Sequence, residues 1–209
     1  MADDTYQPKV YREQGGDRQV VASGGSMDVE SGGELDIESG GALKLAGTEV
    51  TAGAAELNRA ADVSTRIVTL TGDTAITEAL HEGKIILLGE VGGDAQLTAT
   101  LPAATGSGAV YKFIVSVVNT SNYIIKVVGN DTMDGNILTN STTDNPDLSQ
   151  FWATADDSDT ITLNATTKGG LSIGDFIELI DMAADQWAVW GITTTSRASE
   201  VTPFSAGVS

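Results

Sequence analysis

The sequence predicts an all-β protein: an N-terminal Gly-rich β-repeat stalk of three chains, a short helix, and a C-terminal β-sandwich or jelly-roll-like domain. Three observations carry that prediction. An eight-residue unit built on Ser-Gly-Gly repeats three times without gaps, at residues 23–46. One stretch, 54–61, is rich in strong helix formers. From Arg66 onward, runs rich in Val, Ile, Thr and aromatic residues recur between clusters of Gly, Asn, Asp and Ser.

Residues 1–22 read as an extended docking arm. They hold Tyr6, Pro8 and Tyr11, with Lys9, Arg12 and Arg18 set against Asp3, Asp4, Glu13 and Asp17. The arm is therefore nearly neutral, whereas the remaining residues set eight bases against 25 acids. Gly pairs stand at 15/16, 24/25, 32/33 and 40/41. The last three open the units SGGSMDVE (23–30), SGGELDIE (31–38) and SGGALKLA (39–46), and residues 23–47 form the repeat stalk. Ser-Gly-Gly supplies a corner because glycine adopts positive φ without strain. After each corner, polar and apolar residues alternate as in a strand with one buried face, the apolar members being Met27 and Val29, Leu35 and Ile37, Leu43 and Leu45. Two apolar side chains in eight residues close no core within one chain. The strands are expected to stack on one another and to face a second copy, most simply as a homotrimer with these six residues on its axis.

Residues 48–65 form a connector with a helix over 54–61, for which Thr51 is the expected cap. A second helical turn is expected in TAITEALHEG (74–83), from Thr74 to Gly83. The β domain, residues 66–194, is read as eight strands: 66–71, 84–89, 95–101, 110–118, 122–129, 160–166, 175–182 and 186–194. The run NTSN (119–122) is taken as a hairpin turn, Asp185 as another, and residues 130–159 as a long excursion. A polar tail, 195–209, carries one apolar anchor, Phe204.

Composition removes several function classes. The chain of 209 residues has no Cys, one His and a formal charge of −18. Without cysteine there is no disulfide scaffold, thiolate metal site or cysteine nucleophile. The negative charge opposes phosphate and anionic lipid, so neither nucleic acid nor membrane is an expected partner. MADDTYQPKV has acids where a secretory signal has bases, and the longest apolar runs, IILL and FIVSVV, are far shorter than a bilayer span, which implies a soluble protein made in a cytoplasm. Histidine chemistry rests on His81, expected as an exposed residue at a helix end, and no G-x-S-x-G elbow presents a serine. Glu178 and Asp181 fall on opposite faces of one strand, as do Trp187 and Trp190, which disfavours a glycan-cleaving pair beside an aromatic platform. The loops with Asn130, Asp131, Asp134 and Asn136, and with Asp156, Asp157 and Asp159, match neither the EF-hand loop nor the glycine-rich calcium repeat. GKIILLG lacks the phosphate-loop spacing. No catalytic residue, metal or cofactor is expected.

VTAGAAELNRAADV (50–63) resembles the T-A-x-x-A-E-L-N element of virion proteins of tailed bacteriophages, where it follows Gly-rich β repeats. LPAATGSGAVYKFIV (101–115), IIKVVGNDTMDGNI (124–137), residues 159–192 and VTPFSA (201–206) are similar to phage head decoration or virion structural proteins. Arg59-Ala60-Ala61 departs from the Leu-Asp-Gly turn common in fibres. The resemblance implies a homotrimer on the outer surface of the phage head, either a decoration (cement) protein or a head fibre. Its partner would be the major capsid protein, and it would have no catalytic residues. Tyr6, Tyr11, Arg12 and Arg18 are the expected capsid contacts. A tail-fibre or adhesin module that binds host glycan is the alternative, and a tailspike-type glycan hydrolase a more distant one.

Overall fold

The computed structural model describes residues 9–12, 15, 18–61, 66–90, 96–142, 149–196 and 200–207. The chain divides into two compact units, Met1–Gly53 and Ala54–Ser209.

In the first unit, β1 (Val10–Arg12) pairs antiparallel with β2 (Gln19–Val21), placing Tyr11 opposite Val20. Over its described residues the arm is thus a hairpin and not an extended segment. The Ala22 N–H donates to the Lys9 carbonyl at 2.7 Å and continues the pairing. β3 (Lys44–Leu45) and β4 (Thr48–Glu49) form a second small ladder. Ala46 and Gly47, both at positive φ, make the mirror-image turn whose twist suits a two-residue hairpin. Between these ladders the repeats are turns joined by short segments without a strand partner among the described residues. The expected stacking of repeat strands on one another is therefore absent within one chain. Each segment has a single apolar stripe, and pairing with a neighbouring repeat would still leave that stripe in water.

The second unit opens with α1 (Ala54–Ala61), which matches the helix expected from AAELNRAA; Gly53 and not Thr51 precedes its first residue. There follow β5 (Ile67–Leu70), β6 (Thr74–Ala75), α2 (Glu78–His81), β7 (Ile85–Leu88), β8 (Leu97–Thr100), β9 (Val110–Val115) and β10 (Tyr123–Lys126). Then come β11 (Thr132–Ser141), β12 (Ser149–Ala153), β13 (Thr160–Leu163), β14 (Phe176–Ala183), β15 (Gln186–Thr195) and β16 (Phe204–Ser205). Seven strands form one sheet in the order β12-β11-β15-β14-β9-β7-β5, and five form another in the order β16-β13-β10-β8-β6. From β5 to β10 successive strands go to alternate sheets. β5, β7 and β9 therefore lie parallel in the first, and β6, β8 and β10 parallel in the second. Parallel neighbours need a long crossover, which here is the strand in the other sheet. This winding, with a further parallel pair β11–β15, departs from an all-antiparallel roll.

It also corrects two local expectations. NTSN is no hairpin turn, because β9 and β10 belong to different sheets; Asn119 is buried at this corner and its side-chain amide donates to the Leu163 carbonyl at 3.1 Å. Thr74 lies in β6, so the second helix starts later, with Thr77 at its N-cap and no side-chain capping bond.

The two sheets contribute to one core. Ile86, Leu88, Tyr111, Phe113, Ile137, Ile177, Leu179 and Trp187 come from the larger sheet, and Leu97, Ala99, Tyr123, Ile125, Ile161 and Leu163 from the smaller. All are sealed from solvent, and the period-two alternation read from the sequence supplied all of them except Ile137. The 130–159 excursion contains two further strands, β11 and β12. The pattern of β11 was hidden because several of its inward residues are polar. Thr139 and Ser141 are buried, and Thr139 Oγ1 lies 3.0 Å from Thr193 Oγ1. Gly135 looks like a breaker but is required: a Cβ there would lie 1.8 Å from the Val189 carbonyl oxygen.

Candidate interaction surfaces and buried carboxylates

The repeat segment is built from a four-residue turn used three times. Gly25, Gly33 and Gly41 donate their N–H to the carbonyls of Ala22, Glu30 and Glu38 at 2.8–2.9 Å. The third residue of each turn, Gly24, Gly32 or Gly40, has φ between 76° and 89°, as a type II turn requires. The second glycine is needed for space: a Cβ on Gly41 would lie 2.7 Å from Ile37 Cγ2, and on Gly33 3.0 Å from Val29 Cγ1. The second and third corners thus pack their glycine against the last apolar residue of the preceding unit, and the first packs Gly25 against Lys9. Beyond the turns, Met27, Val29, Leu35, Ile37, Leu43 and Leu45 are all exposed, from 43% for Leu43 to 64% for Leu35. Asp28, Glu30, Glu34, Asp36 and Glu38 occupy the alternate positions, so charge and apolar surface separate by parity. Of the residues expected to dock the arm, Tyr11, Arg12 and Arg18 are exposed on or beside the β1–β2 hairpin. Tyr6 lies outside the described residues.

In the second unit several acids are structural. Asp181 is buried and its carboxylate accepts from the N–H groups of Thr105, Gly106 and Ser107 and from the hydroxyls of Thr105 and Ser107, at 2.7–3.1 Å. The Thr-Gly-Ser run of LPAATGSG thus wraps one carboxylate. Burial pushes the pKa of Asp181 up, but the hydroxyl of Ser107 and the three amides outweigh it and hold the group at about 2. Asp175 shows the opposite balance. It accepts from Gly170, Ser172 and Thr194, yet burial dominates and its pKa is raised. Asp131 takes the Ala104 N–H at 2.7 Å and lies 3.4 Å from Trp187 Nε1; Asp159 takes the Gly207 N–H at 2.6 Å. Two of the acids in these oxygen-rich loops therefore latch loops to strands. Among the described residues no group of three or more His, Asp or Glu is arranged to hold a metal ion.

His81 is buried, contrary to expectation. Its Nδ1 accepts the Thr77 N–H at 3.0 Å, so the imidazole caps its own helix. Burial lowers its pKa, and Lys84 adds to the effect. Glu178 and Asp181 do face opposite sides of β14. Trp187 is fully buried, while the Trp190 Nε1 donates to Glu178 Oε1 at 2.8 Å on the outer side. Tyr123 is sealed in the core with its hydroxyl donating to the Val117 carbonyl at 2.7 Å; burial, with Glu90, raises its pKa to about 12. Sequence reasoning missed the carboxylate latches because a buried Asp and a solvated Asp look alike in sequence. The clustered hydroxyls and glycines of TGSG are the signal that could have pointed to one.

Comparison with known proteins adds no relative: no family model matches the chain, and no curated protein or solved structure matches it.

Proposed function

We propose that the chain is a structural protein of a tailed-phage particle, a homotrimeric decoration or head-fibre protein on the outer surface of the head, with the major capsid protein as its partner. The observation that carries this reading is the exposed apolar row of the repeat segment, two residues in every eight from Met27 to Leu45, in a segment with no core of its own. Such a row is stabilised when copies of the chain bury it together. Three arms on one axis would then dock to three equivalent sites, each weak contact reinforced by the others through effective concentration. Tyr11, Arg12 and Arg18 are the described arm residues offered for that contact, in a nearly neutral segment. The strongly acidic remainder keeps closely spaced copies soluble.

The test is the molar mass of the full chain by light scattering, with three chains per particle expected. In the variant Leu35→Asp/Ile37→Asp the assembly should come apart while circular dichroism of the β domain stays unchanged. A stable wild-type monomer would sink the stalk. Particles from which the protein has been removed should take it back in many copies on the head; binding confined to the tail would move the reading to a fibre.

A further inference from the structure

The outer face of the seven-stranded sheet carries a second apolar surface, separate from the repeats. Strand register places Leu87, Ile114, Phe176, Ile192, Leu138 and Phe151 side by side across β7, β9, β14, β15, β11 and β12. None is buried, and Phe151 is 72% exposed. The next row adds Ile67, Ile85 and Trp190, all exposed. Phe176 and Trp190 meet edge to face at 5.1 Å, so the two rows are joined by a fixed aromatic pair. With strands about 4.8 Å apart and side chains repeating about every 7 Å along them, seven strands and two rows cover about 470 Å² in plan. That is within the range of the largest patches on monomers and smaller than the ~800 Å² per partner of a standard interface, so the contact it offers is a weak one.

We infer that this face is an interface with the same face of a second copy of the chain. On a chain of formal charge −18 this nearly neutral face is where two copies repel each other least. On this face the charged outward residues are Lys112, Glu178 and Asp134. Lys112 lies 4.0 Å from Glu178, with its ammonium 4.8 Å from the centre of the Phe176 ring. A base and an acid side by side form a self-complementary pair about a two-fold axis, where each meets its opposite on the partner copy. Six apolar residues in one straight row are self-complementary in the same way. The inference extends the reading of a homo-oligomer but uses a different surface, and it holds or fails independently of the stalk.

Four forms of the full chain test it by sedimentation and light scattering: wild type, Leu35→Asp/Ile37→Asp, Phe151→Glu/Ile192→Glu, and the combination. The stalk variant is expected to weigh two chains at high concentration and one on dilution. The combined variant should weigh one chain at every concentration. Dilution of the stalk variant should also red-shift its fluorescence through Trp190, and Trp190→Phe should abolish that shift. Should Phe151→Glu/Ile192→Glu lose its fold by circular dichroism, Ile67→Lys at the sheet edge replaces it. A stalk variant that stays monomeric at every concentration overturns the inference. If instead the stalk substitutions leave the wild-type mass unchanged while the face substitutions lower it, the face interface stands and the stalk falls.

Discussion

The two units of this chain use similar side chains to opposite ends. In Ala54–Ser209, Leu97, Ile125, Ile137 and Leu179 are fully buried. In Met1–Gly53, Leu35, Ile37, Leu43 and Leu45 are all at least 43% exposed. Both segments alternate apolar and polar residues with period two, so local pattern does not separate them. What separates them is number: the second unit has two sheets whose inner faces cover each other, and the first has segments too short and too few to do so. Apolar spacing in the first unit leaves a row of exposed side chains and no core.

The strongest way to break the comparison is to truncate one side chain in each unit. Trp187→Ala removes the largest buried side chain and should cost about 3–5 kcal/mol, enough to unfold a marginal β domain in a thermal melt. Leu35→Ala should leave that melt within ~0.5 kcal/mol of wild type while weakening association. Equal melting of the two variants would erase the distinction.

Glycines give the next contrast. Gly135→Ala drives a Cβ into the Val189 carbonyl at the β11–β15 pairing and should destabilise the β domain by about 3 kcal/mol in urea unfolding. Gly40→Ala, at φ 89° with open space around it, should cost about 1 kcal/mol, seen only in the stability of the assembly.

A smaller effect concerns the carboxylates. Asp181→Asn trades an acceptor for donors against five hydrogen-bond donors and should cost about 2 kcal/mol at neutral pH. Its folded pKa of about 2 lies below the ordinary 3.8, so its contribution is present above pH ~4 and lost as pH falls toward 2. The Asn variant should flatten that part of an acid-unfolding profile. His81 acts earlier in the descent: its pKa lies below 6.5, so stability falls once the unfolded chain starts to take up its proton. Asp175 works in the other direction, since a raised pKa contributes stability that is lost as pH rises through it. Removing His81 as His81→Gln should therefore reduce the loss of stability that sets in as pH falls below about 6.5, read in the same acid-unfolding profile.

Much of the fold was legible in the sequence. All eight expected strands are present, six of them trimmed and the last two running one residue further, and the helix at 54–61 matches. Asp185, at φ 62°, turns the chain between β14 and β15. β11 was missed because Thr139 and Ser141 face inward, and β16 because two residues leave no period to read. NTSN was misread because a corner between sheets and a hairpin draw on the same turn residues.

The sequence by itself determined the strand alternation, the glycine corners every eight residues and the charge, since these depend on side-chain chemistry and neighbours along the chain. Only the tertiary structure decided which strands share a sheet, that LPAATGSG exists to hold Asp181, and that Leu87 through Phe151 line up on one outer face. Those outcomes depend on register between segments far apart in the chain, and register is fixed by long-range burial that no local pattern encodes.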